Sequence, residues 1–117
     1  MQFLFRKPRF PIIIDTGKGL AGVRSWAECE RLFDMTAFSD NEPKPVIDVT
    51  AEGFALNPDM MVISPLTGKK QWTKGEIIEL YNRCVKKPEA RAYELRSLGN
   101  KRVEVVVSEI VDLLRRP

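Results

Sequence analysis

Thr73 and Glu76 set the strongest local constraint on this chain. Three positions apart at the head of an apolar-striped segment, they form the pattern in which each side chain satisfies a backbone N–H that the first helical turn leaves without an acceptor. Behind them Ile77, Ile78, Tyr81, Cys84 and Val85 recur at helical spacing, while Lys74, Glu79, Asn82, Arg83 and Lys86 fall on the other side. A helix with a fixed start and one apolar face must be covered, so the rest of the chain has to supply a packing layer.

The preceding residues predict that layer to be a sheet. Residues 39–45, SDNEPKP, read as a loop whose two prolines forbid a central strand or a helix. After them the period becomes strand-like: a strand over 46–50, a turn over 51–53 with Gly53 available for positive φ, and a return over 54–56. A turn at 57–59, a strand over 60–64, a turn at 65–68 and a short fourth strand over 70–72 complete an antiparallel meander. Upstream, residues 2–6 predict a short edge strand, and Pro11 with three Ile predicts a strand over 10–14. A second capping box, Ser25 with Glu28, opens a helix over 26–35 whose stripe is Trp26, Cys29, Leu32 and Phe33.

Downstream, Pro88 starts a helix over 88–98 with Gly99 as its C-terminal stop. Val103, Val106, Val107, Ile110, Leu113 and Leu114 then predict a terminal helix over 101–116. Because valines are poor helix formers, a strand over 102–107 stands as the alternative. The expectation is one α+β domain over residues 1–117, an antiparallel sheet of three to five strands around residues 46–72 packed on three to four helices. Trp26, Phe54, Trp72, Ile77, Tyr81, Val107 and Ile110 are its expected core.

Composition narrows the chemistry. With no His in its 117 residues, the chain lacks the commonest general base and the Ser-His and Cys-His nucleophile pairs. Cys29 and Cys84 fall in separate predicted helices without CxxC spacing, so buried thiols acting as small hydrophobes are expected, with no metal and no cofactor. No apolar run has membrane-spanning length, and MQFLFRKPRF does not read as a secretion signal, which makes a cytoplasmic protein off the membrane the expectation.

Two overlapping motifs invite a chemical reading. Gly17, Gly19 and Gly22 form a literal GxGxxG after a predicted strand, with Asp40 at the distance of a ribose-binding acid. The next helix starts at Ser25 and not at Leu20, alternating βα units are missing after residue 46, and a flexible glycine turn is the preferred reading. Ile13-Ile14-Asp15-Thr16-Gly17 resembles the hydrophobic-hydrophobic-Asp-Thr-Gly signature of the retropepsin-like aspartic proteases over those five residues. The resemblance implies Asp15 as one of two carboxylates shared across a homodimer. The sequence departs from the family at Lys18, where a small residue is usual, and its two capping-box helices conflict with a nearly all-β fold.

A third constellation is basic. Residues 1–67 carry a net charge of −2 and residues 68–117 one of +5. Lys69, Lys70, Lys74, Arg83, Lys86, Lys87, Arg91, Arg96, Lys101 and Arg102 could neutralise phosphates, but Glu76, Glu79, Glu89 and Glu94 interleave them, and a solvated helix face is the ordinary reading. The sequence is therefore read as a non-catalytic binding or adaptor domain that recognises a protein partner, a second copy included, since an open meander presents a strand edge. A weak nucleic-acid binder using Lys69, Lys70, Lys74, Arg83, Lys86, Lys87, Arg91, Lys101 and Arg102 is the alternative. A protease-like or nucleotide-binding site over residues 15–22 ranks third.

Overall fold

A computed structural model describes residues 2–3, 7–34, 38, 40, 42–59, 62–65, 71–84 and 102–115. Within them the chain runs β1 (Gln2–Phe3), β2 (Ile12–Asp15), β3 (Leu20–Val23), α1 (Trp26–Asp34), β4 (Lys44–Ile47), β5 (Gly53–Asn57), β6 (Val62–Pro65), α2 (Lys74–Cys84) and α3 (Val103–Arg115). The six strands form one sheet in the order β1-β6-β5-β4-β2-β3. All neighbours are antiparallel except β1, which runs parallel to β6. The α+β expectation holds, with the meander realised as β4-β5-β6.

Alternation along the strands divides the core in two. On one face Ile13, Ile47 and Ala51 pack with Ile77, Ile78, Leu80 and Tyr81 of α2 and Val106, Val107, Ile110 and Val111 of α3. On the other, Ile12, Ile14, Val46, Phe54, Leu56 and Ile63 pack with Cys29 of α1, flanked by Trp26 and Leu32. Of the expected core, Phe54, Ile77, Tyr81, Val107 and Ile110 are fully buried, and the two tryptophans are half-buried.

Both capping boxes form. Thr73 N–H donates to Glu76 Oε1 (2.9 Å) and Glu76 N–H to Thr73 Oγ1 (3.2 Å). At α1 the Glu28 N–H donates to Ser25 Oγ (3.3 Å), while the Glu28 carboxylate reaches one residue further back and accepts from Arg24 N–H (2.8 Å).

Several expectations are corrected. The expected terminal helix forms as α3 from Val103, and the alternative of a strand over 102–107 falls, because burying the valine stripe against the sheet outweighs its modest helix propensity. Positive φ falls on Ala51 (70°) and not on Gly53, which has joined β5. Pro45 lies inside β4, a central strand, which the loop reading of residues 39–45 excluded. It is tolerated because the Asp48 N–H bond to Glu52 O (3.0 Å) sets the β4–β5 ladder so that Val46 bonds toward β5 and Pro45 points its missing donor toward β2. The β2–β4 pairing has already ended at Ile14 and Val46. Of the fourth meander strand over 70–72, the described residues show one bridge, Glu52 to Gln71, and residue 70 lies outside them. The helix over 88–98 lies outside the described residues.

Candidate functional site

Both chemical motifs fall in one turn. β2 and β3 form an antiparallel hairpin that pairs Asp15 with Leu20 and Ile13 with Gly22. Thr16 N–H and Thr16 Oγ1 both donate to Gly19 O (2.9 Å each), Lys18 N–H donates to Thr16 Oγ1 (3.2 Å), and Gly17 N–H donates to Asp15 Oδ1 (3.0 Å). Gly17 and Gly19 supply positive φ for the reversal (87° and 144°). Gly22 is a strand residue whose missing side chain admits α3: a Cβ there would sit 2.9 Å from Val111 O and 3.0 Å from Val111 Cα. The three glycines thus serve a reversal and a helix contact, and no helix N-terminus follows the turn to receive a phosphate. The resemblance to the aspartic proteases stops at the same five residues: Asp15 ends β2, and its carboxylate caps its own turn.

The turn also sets the hydrogen-bonding phase of the hairpin. Since Thr16 and Gly19 are a bonded pair, so are Ile14 with Ala21 and Ile12 with Val23. The N–H and C=O groups of Leu20 and Gly22 therefore point away from β2. β3 is the last strand of the sheet on that side, and among the described residues no backbone partner engages those outward groups. The open stretch has sharp ends: at one the Lys18 N–H is held by Thr16, and at the other the Arg24 N–H is held by Glu28. Leu20, Ala21 and Gly22 are half-buried. The strand Leu-Ala-Gly-Val carries no charge or proline to discourage pairing.

α3 lies over β3 and β2 on one face, and α1 touches β3. Ion pairs tie α3 to the start of α1 around the end of β3: Arg24 with Asp112, and Arg115 with Glu28. The Arg24 N–H, and after it the Arg115 guanidinium, hold the Glu28 carboxyl below its usual range. A recess of about 260 Å³ beside them is lined by Phe10, Pro11, Arg24 and Ser108, and Phe10 meets Trp26 edge to face at 4.6 Å.

A second polar centre is Asp48, only 2% exposed. Its Oδ1 accepts from Thr50 N–H (2.9 Å), Thr50 Oγ1 (2.6 Å) and Glu52 N–H (3.0 Å), and its Oδ2 from Arg9 N–H (3.1 Å). With four donors satisfied, this carboxylate shapes the turn that places Ala51 at positive φ, and the neighbouring recess of about 410 Å³ adds Lys7 and Glu52. Lys44 is buried and pairs with the exposed Asp40, whose carboxyl this contact, with the Glu42 N–H, holds low. Asp40 is thereby a partner for lysine, at the entry to β4. Burial pushes the Cys29 thiol up to about 11. Cys84 is half-buried.

Of the basic surface, Lys74 and Arg83 lie on α2 and Arg102 just before α3. Arg83 shares a recess of about 170 Å³ with Glu76 and Glu79, so a phosphate placed there meets two carboxylates. Lys69, Lys70, Lys86, Lys87, Arg91, Arg96 and Lys101 lie outside the described residues. Among the described residues no group of three or more Cys, Asp or Glu side chains could hold a metal ion, and no helix is long and apolar enough to cross a membrane.

Leu20 and Gly22, which define the site, both fall within the GxGxxG motif, but their role is that of edge-strand residues and not of a phosphate loop. Their signal was present: two apolar runs separated by Asp-Thr-Gly-Lys-Gly make a hairpin pattern that the nearby GxGxxG obscures. Compared with family models, with curated proteins and with solved structures, the chain has no match.

Proposed function

We propose that this chain is a non-catalytic binding domain that recognises a protein partner by accepting an extended segment along β3. One observation carries the reading: the outward N–H and C=O groups of Leu20 and Gly22 form an unpaired ladder segment at the end of the described sheet. Main-chain bonds to an added strand supply affinity there, and the half-buried Leu20 and Ala21 side chains on opposite faces supply discrimination. Asp48 accepts from four structural donors and Asp15 accepts from Gly17 N–H within its own turn, so both carboxylates shape turns.

Amide hydrogen exchange on the chain with its captured partner tests this. The Leu20 and Gly22 amides should slow on binding, whereas Ala21 and Val23, already bonded to β2, should change little. Leu20→Pro removes one outward donor without touching the β2 ladder, as edge strands allow. A folded Leu20→Pro chain that captures the partner undiminished, or exchange slowing confined to other elements, overturns the reading.

A further inference from the structure

We infer that the segment received at β3 is β3 of a second copy of this chain, in an antiparallel pair with Ala21 on the two-fold axis. This rests on β3 being a recognition edge. Three symmetric registers would set outward-pointing residues against one another. Placing Leu20 opposite Leu20 draws on the Lys18 N–H, which Thr16 Oγ1 holds at 3.2 Å. Gly22 opposite Gly22 draws on the Arg24 N–H, held by Glu28 Oε2 at 2.8 Å. Leu20 opposite Gly22 of the second copy uses only the groups that the described residues leave open, and closes a complete set of reciprocal bonds between the two strands. The strand is symmetric enough to be its own complement.

α3 lies over the β2–β3 pair on one face, and a two-fold axis through Ala21 sets α3 of the second copy on that same face. Val111 of α3 is buried against Gly22 on the chain's own sheet, which leaves the main-chain groups along the outer side of β3 as the surface offered to the copy. A copy of the chain therefore matches this edge in register.

The test uses the full chain. Sedimentation of the wild type over a micromolar range should show a dimer whose dissociation constant rises about tenfold in Leu20→Pro, which removes one donated main-chain bond per copy from the pairing. In a Cys84→Ser background, Ala21→Cys should give a disulfide-linked dimer under mild oxidation far faster than Asp59→Cys, an exposed position in the turn after β5. Facing residues of a non-bonded antiparallel pair have Cα atoms about 4.5 Å apart, within reach of a disulfide. A wild type that sediments as a monomer throughout overturns the self-pairing, and so does a dimer in which Ala21→Cys crosslinks no faster than Asp59→Cys. If the Leu20 and Gly22 amides are nevertheless protected by a different protein, the recognition edge stands and only the identity of its occupant falls.

Discussion

Gly22 and Gly75 make opposite predictions from the same residue type. A methyl group at Gly22 meets the Val111 backbone at 2.9 Å, where nothing flexible can yield, so Gly22→Ala should cost about 1–3 kcal/mol by pushing α3 off the sheet. At Gly75, inside α2, the same methyl meets nothing within 4 Å, and Gly75→Ala should add about 0.5–1 kcal/mol by favouring the helix. Chemical denaturation of the two variants beside the wild type measures both, and equal effects would contradict the packing described for α3. Asp48→Ala strips the acceptor from three backbone N–H groups and a hydroxyl at a buried turn, for an expected loss of more than about 2 kcal/mol. None of these contacts is readable from neighbours in sequence. Gly22 looked like part of a phosphate loop because its spacing to Gly17 and Gly19 is visible in one dimension, while its contact with Val111 exists only once α3 is docked.

At the scale of elements, the helix starts were legible and the strands less so. Capping boxes work between residues three apart, so Ser25 with Glu28 and Thr73 with Glu76 announce α1 and α2 correctly. Strands depend on partners far along the chain. β3 carries little local signal, because Leu-Ala-Gly-Val has little β propensity and is stabilised by β2 on one side and α3 above. The place of Pro45 inside a strand is not legible locally, because its tolerance depends on where the β2 ladder ends. The α1 cap carries a pH signature. With its folded value lowered by the Arg24 N–H and Arg115, Glu28 contributes stability that is fully present above the unfolded value near 4.5 and is lost as pH falls through the folded one. Glu28→Gln should therefore be less stable than the wild type at pH 7, and the gap should narrow on acidification below about pH 4. A gap that widens in acid would refute the assignment.

Over the whole molecule, the two thiols report on different events. Cys29 has no exposed surface and a pKa pushed up to about 11, so alkylation at pH 8 should require opening of the α1 face and should track global stability. Cys84, half-buried at the end of α2, should react first and without denaturant. Mass spectrometry of a partly alkylated sample distinguishes them, and preferential labelling of Cys29 would contradict the packing of α1. The basic second half of the sequence, by contrast, leaves little trace in the described surface: of its candidate cations only Lys74, Arg83 and Arg102 are placed, and Arg83 shares its recess with acids.

The sheet order also implies a sequence of events in time. The β2–β3 hairpin and the β4-β5-β6 meander join residues close along the chain, whereas β1 pairs Gln2 with Val62 and Phe3 with Ile63, residues far apart in the sequence. Closing so long a loop is costly until the strands between have assembled, so β1 should pair after the hairpin and the meander have formed. During synthesis, then, β1 emerges ahead of β6 and cannot pair until that strand has followed it.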